Sequence, residues 1–159
     1  MGEAETRAAG RAIRTREFCA EDAAAVLAVA RSSPQAAQWS EESYQRILEE
    51  PTAVCFVAEA EGAVVGFLTG RLTADQGEIL NLAVGESYRR RGAASSLLAQ
   101  ALEWFRLSSA TSVYLEVRES NTGAIGFYEK NGFLNAGRRE GYYRDPDEAA
   151  LVLTRKLTG

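Results

Sequence analysis

The chain contains no histidine. Serine–histidine catalysis and a histidine-ligated metal are therefore excluded. Any acid–base chemistry falls to a carboxylate, a tyrosine, a lysine, a cysteine or a bound water. Cysteine is nearly absent too: Cys19 and Cys55 are too few for a disulfide framework and lack metal-ligand spacing, which fits a reducing cytoplasm. Missing as well is any apolar run of the roughly 20 residues that span a bilayer, or anything shaped like a secretory signal. The opening "MGEAET" formally fits a myristoylation pattern. Its acidic neighbours and the lack of a second lipid or polybasic signal speak against a membrane partner. With 18 Lys and Arg against 22 Asp and Glu, the net charge is −4. The broad positive potential of a nucleic-acid binder is therefore lacking, and any anion site must be local.

What is present reads as one globular unit. A chain of 159 residues, 46% hydrophobic and 25% charged, can bury a real core. Residues 1–10 are small, polar and acidic and read as a disordered tail before a single domain over residues 11–159. A β-like run spans Ala12 to Phe18, and "AEDAAAVLAVARSS" has helical spacing until Pro34. "SEESYQRILEE" starts a second short helix at Ser40 and is closed by Pro51. The period then changes. "AVCFVAEA" and "AVVGFLTGRL" form a hairpin across Glu61-Gly62, and "GEILNLAV" is the next strand. Leu97, Leu98, Ala101, Leu102 and Phe105 mark a long amphipathic helix from Gly92 to Leu107. "TSVYLEVRE" alternates as a strand, "NTGAIGFYEKNG" is a helix ended by Gly132, and "FLNAGRRE" and "EAALVLTRKL" complete a mixed α/β sheet.

A basic knot interrupts this acidic chain. "YRRRGAASSLL" places Arg89, Arg90 and Arg91 before Gly92, between a strand and the long helix. Alone, such a run is a solvated surface feature. At a helix N-terminus, however, main-chain N–H groups are unpaired and carry partial positive charge. Gly92, Ala93, Ala94 and Ser95 are small enough for a phosphate to approach them, and arginines add forked donors. The Walker and Rossmann glycine patterns are both absent.

The stretch resembles the R/Q-x-x-G-x-G/A coenzyme A loop of the GNAT acetyltransferase superfamily, with Arg89, Gly92 and Ala94 at its defining positions. "LEVRESNTGAIGFYEKNGF" and "GRREGYYRDPDEAALVL" resemble the RimI-like branch, which acetylates the N-terminal alanine of a small-subunit ribosomal protein. The resemblance covers about Ile13 to Leu157. It implies a mixed, mostly antiparallel sheet of about six or seven strands flanked by about four helices. It also implies acetyl-CoA as cosubstrate, a protein N-terminus as acceptor and direct transfer in a ternary complex.

The same resemblance distributes roles. Leu82, Ala83 and Val84 meet the pantetheine through their backbone, and an N–H near Val84 polarises the thioester carbonyl. Alternation in "SVYLEVR" sets Tyr114, Glu116 and Arg118 on the face opposite Val113, Leu115 and Val117. A glutamate inside a central strand is unfavourable unless it serves something. The plain alternative is a solvent-facing polar residue, whereas the resemblance makes Glu116 the general base. Asn121 and Tyr128, seven residues apart, share one helix face. An N-cap and a core aromatic explain them equally, whereas the resemblance assigns Asn121 to the pantetheine and Tyr128 to protonating the departing thiolate. An α-amino group has a reference pKa near 8 against about 10.4 for lysine, so an N-terminal amine is the easier for a carboxylate to deprotonate.

The segment "RSSPQAAQWSEES" keeps Trp39, Ser40 and Glu41 of the branch but lacks its aromatic-proline step. Ala149 stands where an acidic residue is common, and Tyr142 and Tyr143 fit either a peptide entrance or a sheet edge. The acceptor could therefore also be a small amine or a lysine, or the chain a non-catalytic acyl-CoA binder.

Overall fold

The computed structural model describes residues 12–157, so the tail read for residues 1–10 lies outside the described residues. The strands are β1 (Arg14–Glu17), β2 (Ala53–Ala60), β3 (Ala63–Thr73), β4 (Gln76–Val84), β5 (Ser112–Arg118), β6 (Leu134–Tyr143) and β7 (Glu148–Lys156). The helices are α1 (Ala23–Arg31), α2 (Glu41–Ile47), α3 (Ala93–Leu107) and α4 (Thr122–Lys130). One seven-stranded sheet runs in the order β1-β2-β3-β4-β5-β7-β6. Its strand pairs are antiparallel except β4 with β5.

Local chemistry starts and stops these elements. Ser40 Oγ accepts the Ser43 N–H at 3.1 Å and opens α2. Glu61 and Gly62, at φ 52° and 78°, form the tight turn that joins β2 to β3. The strand expected over Ala12 to Phe18 shortens to β1, while β6 continues well past "FLNAGRRE" to Tyr143. Gly132, at φ 86°, ends α4 and returns the chain so that the Phe133 N–H reaches Tyr128 O at 3.0 Å. That return stacks Phe133 edge-on against Tyr128, with centroids 5.3 Å apart.

Two cores sandwich the sheet. On one side Leu97, Leu98, Ala101 and Phe105 of α3 meet Leu68, Ile79, Val113 and Leu115. On the other, Val26, Val29 and Ala30 of α1 and Tyr44 of α2 cover Val57, Phe67 and Ala83. Gly70 and Gly77 make room for Phe105. A Cβ at Gly77 would sit 2.6 Å from the Phe105 ring. The α1–α2 layer covers β2, β3 and β4.

Candidate active site

β4 and β5 pair only from Gln76–Ser112 to Glu78–Tyr114 and then part. A bulge explains the parting. Thr69 pairs with Asn81 but Gly70 with Ile79, so Leu80 is extra and sharpens the twist of β4 just beyond the last shared rung. The opening is a cleft of about 410 Å³ lined by Leu80 and Leu82 of β4, Glu116 of β5, Asn121 at the cap of α4, Tyr128 of α4, and Tyr143 at the end of β6.

The free edge of β4 presents main-chain groups in alternation. Gly85 N–H bonds Val65 O at 2.7 Å, which makes Gly66–Val84 a non-hydrogen-bonded pair. The N–H and C=O of Val84, and of Leu82 two residues back, therefore face away from β3 into the gap. Ala83 differs from the expectation for the trio. Its main chain is turned to Phe67 on β3 and its side chain is buried against α1.

The arginine knot folds into a shaped loop. Arg90 and Gly92 take left-handed conformations, at φ 63° and 85°. Gly92 precedes α3 without a side-chain cap, and Ser96 N–H is the first to close on Gly92 O. The N–H groups of Ala93, Ala94 and Ser95 are left for something outside the helix. A Cβ built on Gly92 meets no heavy atom within 4 Å, so the approach to those donors is open. Arg89 is placed differently from a free phosphate clamp. Its Nε donates to Val84 O at 3.0 Å and its Nη2 to Ser33 Oγ at 3.4 Å, tying the loop to β4 and α1. Arg91 lies over the Tyr88 ring at 5.5 Å.

Glu116 stands where the strands separate, with its side chain 11% exposed. Its Oε2 is buried without a hydrogen-bond partner, while Oε1 faces Arg139 Nη2 at 3.5 Å. The Tyr142 hydroxyl is pushed up to about 12, first by interaction with Glu116 and then by burial. Asn121 and Tyr128 both line the cleft, as their shared helix face requires. Asn121 Oδ1 caps α4 by accepting the Ala124 N–H at 3.2 Å. The Tyr128 side chain is buried, and burial holds its hydroxyl well above the ordinary tyrosine range. Cys55 is held up to about 12 by burial, and neither cysteine lines the cleft.

Two loops flank the opening, and both are pinned. Asn81 accepts Ala37 N–H at 3.3 Å and donates to Ala37 O at 3.0 Å and Tyr44 Oη at 3.3 Å, bolting the α1–α2 loop to β4. Arg118 donates to Pro146 O, Glu148 Oε1 and Arg144 O and lies 4.4 Å over the Tyr143 ring, which fixes the β6–β7 turn.

Residues 22–133 match the Acetyltransferase (GNAT) family. The chain belongs to that family. Among relatives of this GNAT acetyltransferase, the Escherichia coli [ribosomal protein bS18]-alanine N-acetyltransferase is 30% identical over 117 residues, covering 72% of this chain and 78% of the relative. An N-alpha-acetyltransferase of Sulfurisphaera tokodaii is 36% identical over 118 residues, covering 66% and 71%. The crystal structure of Ard1 from Thermoplasma volcanium superposes with a TM-score of 0.85 at 31% identity, over 93% of this chain and 99% of that one.

This GNAT acetyltransferase is thus an acetyl-CoA-dependent N-acetyltransferase, and its residues fit the cosubstrate on three counts. An open glycine cradle leads to uncapped helix donors, the β4 edge offers the main-chain groups of Leu82 and the Val84 N–H, and a partnerless carboxylate oxygen belongs to the same cleft. Asn81 and Arg139 were missed in the sequence. The lone polar residue in "ILNLAV" was a usable signal for Asn81, because a buried amide demands partners. Nothing local marked Arg139. No helix among the described residues is long and apolar enough to cross a membrane.

Proposed function

We propose that this enzyme acetylates the α-amino group of a polypeptide N-terminus, with an alanine of a ribosomal protein as the acceptor, by direct transfer in a ternary complex in a reducing cytoplasm. The observation that carries the reading is Glu116, a carboxylate with one buried oxygen free of partners at the parting of β4 and β5. The E. coli relative's activity on an N-terminal alanine and the archaeal relative's N-alpha activity support it.

Acetyl-CoA, when bound, supplies an acetyl group activated as a thioester. The N–H groups of Ala93, Ala94 and Ser95, with Arg90 and Arg91 beside them, hold its phosphates. Arg89 keeps the loop in shape for them. Leu82 and Val84 meet the pantetheine from the β4 edge, joined by Asn121, and the Val84 N–H polarises the acetyl carbonyl. Glu116 receives the amine proton, directly or through a water. Tyr128 gives a proton to the departing sulfur.

Free-thiol release tests the acceptor. An alanine-starting peptide should turn over, and the same peptide with a blocked N-terminus should be nearly inert. Turnover confined to lysine side chains or small amines overturns the reading, and no turnover with any amine returns the chain to a binder.

Gly92→Val tests the coenzyme loop separately. The left-handed φ of 85° strains a β-branched residue and moves the N–H groups that follow. Calorimetry should show coenzyme A binding weakened about tenfold or more, since a hydrogen bond to a charged group contributes roughly 1.5–3 kcal/mol. The added atoms enter open space, so the fold should persist. Normal affinity removes the loop from the site.

A further inference from the structure

The edge strand carries a feature that the proposed chemistry does not use. β6 pairs with β7 at Arg139–Ala150 and again only at Tyr143–Glu148, so Glu140, Gly141 and Tyr142 all stand opposite Ala149. Gly141, at φ 60°, provides the left-handed turn such a bulge needs. The bulge brings neighbouring side chains to Glu116 on β5. Arg139 Nη2 comes to 3.5 Å from Glu116 Oε1, and its guanidinium stands 5.9 Å from the centre of the Tyr142 ring.

The two ends of this ion pair are unequal. Arg139 is 56% exposed and Glu116 only 11%. The neighbouring Arg138 is gripped by Glu119 at 2.9 Å and also pairs with Glu140. Among the described residues Glu116 is the carboxylate that Arg139 meets, and the contact is too long for a good hydrogen bond. A mostly buried carboxylate needs a counter-charge. Here that charge is held loosely, from the solvent side of Glu116.

We propose that Arg139 is a placeholder cation: before the acceptor arrives its guanidinium occupies the position beside Glu116 that the acceptor ammonium takes, and binding exchanges one cation for the other. This makes Arg139 a positioning residue, and it rests on the reading of Glu116 as the group that receives the amine.

Steady-state kinetics with an alanine-starting peptide test the exchange. Arg139→Ala removes the competitor, so the acceptor KM should fall about two- to fivefold, the scale of one exposed ion pair. The change should appear in KM and not in kcat. Arg139→Lys, which keeps the cation, should restore KM toward the starting value. Guanidinium chloride, far below denaturing concentration, should raise the acceptor KM of the alanine variant more than equal sodium chloride does. An unchanged or higher KM in the alanine variant, or an equal fall in the lysine variant, overturns the proposal.

The Glu116→Gln background separates the possible failures. With the carboxylate gone, Arg139→Ala should no longer lower KM. A fall that persists there means Arg139 repels cationic acceptors at a distance, which ends the placeholder but leaves Glu116 its role. If Glu116→Gln alone has normal kcat, the base assignment fails and the placeholder fails with it.

Discussion

Glu116→Gln is expected to lower kcat by roughly 10²–10⁴-fold, the usual contribution of one positioned acid–base group, with the affinity for acetyl-CoA little changed. The substitution is nearly isosteric and removes the ability to accept a proton. Stability distinguishes this from a structural defect. The side chain is 11% exposed, Oε2 has no partner and Arg139 reaches Oε1 only at 3.5 Å, so a charge buried there is only partly compensated. Replacing it with a neutral amide should leave the melting temperature unchanged or raise it. A residue retained for structure would show the reverse, with lower stability and nearly normal rate. Coenzyme binding is read by calorimetry, and the rate by thiol release at saturating acceptor. A full rate in the glutamine variant removes Glu116 from the chemistry, whatever its surroundings look like.

The parts of this site that were legible beforehand are those with local causes. Strand alternation in "SVYLEVR" placed Glu116 opposite the apolar residues Val113, Leu115 and Val117, as the burial of β5 agrees. Helical spacing put Asn121 and Tyr128 on one face, and Gly92 stood where the chain had to turn before α3. Ser40 and Glu61-Gly62 acted through caps and turns that need no distant partner. What stayed hidden depends on register between remote strands. The bulge at Leu80 exists because β3 and β4 slip by one residue there, close to the two glycines that receive Phe105. No periodicity within "GEILNLAV" reports that slip, yet it opens the cleft and turns Leu82 and Val84, not Ala83, toward it. The contact of Arg139 with Glu116 likewise needs β6 to be paired outside β7 and bulged over Glu140–Tyr142. Only Gly141 hinted at that departure. Arg89 was legible as a loop residue, whereas its bonds to Val84 O and Ser33 Oγ require α1 and β4 to be adjacent.

Tyr128→Phe should be the second most damaging change, lowering kcat by about 10²-fold, at the low end for a single proton donor. The ring is packed between Phe127 and Phe133, and those contacts survive in phenylalanine. The hydroxyl makes no hydrogen bond among the described residues, so its loss should leave the melting temperature intact. The pH behaviour follows from burial, which disfavours the phenolate and raises the hydroxyl above its ordinary value of 10.0. The donor form is the protonated one, so it persists as pH rises through the ordinary tyrosine range. The wild-type rate should therefore show no alkaline fall from this group below about pH 10. The leaving group supplies the decisive comparison. An acetyl thioester of a more acidic thiol needs less help to depart, so the phenylalanine variant should lose less with it than with acetyl-CoA. An equal loss with both thioesters would mean that Tyr128 positions the substrate without giving it a proton.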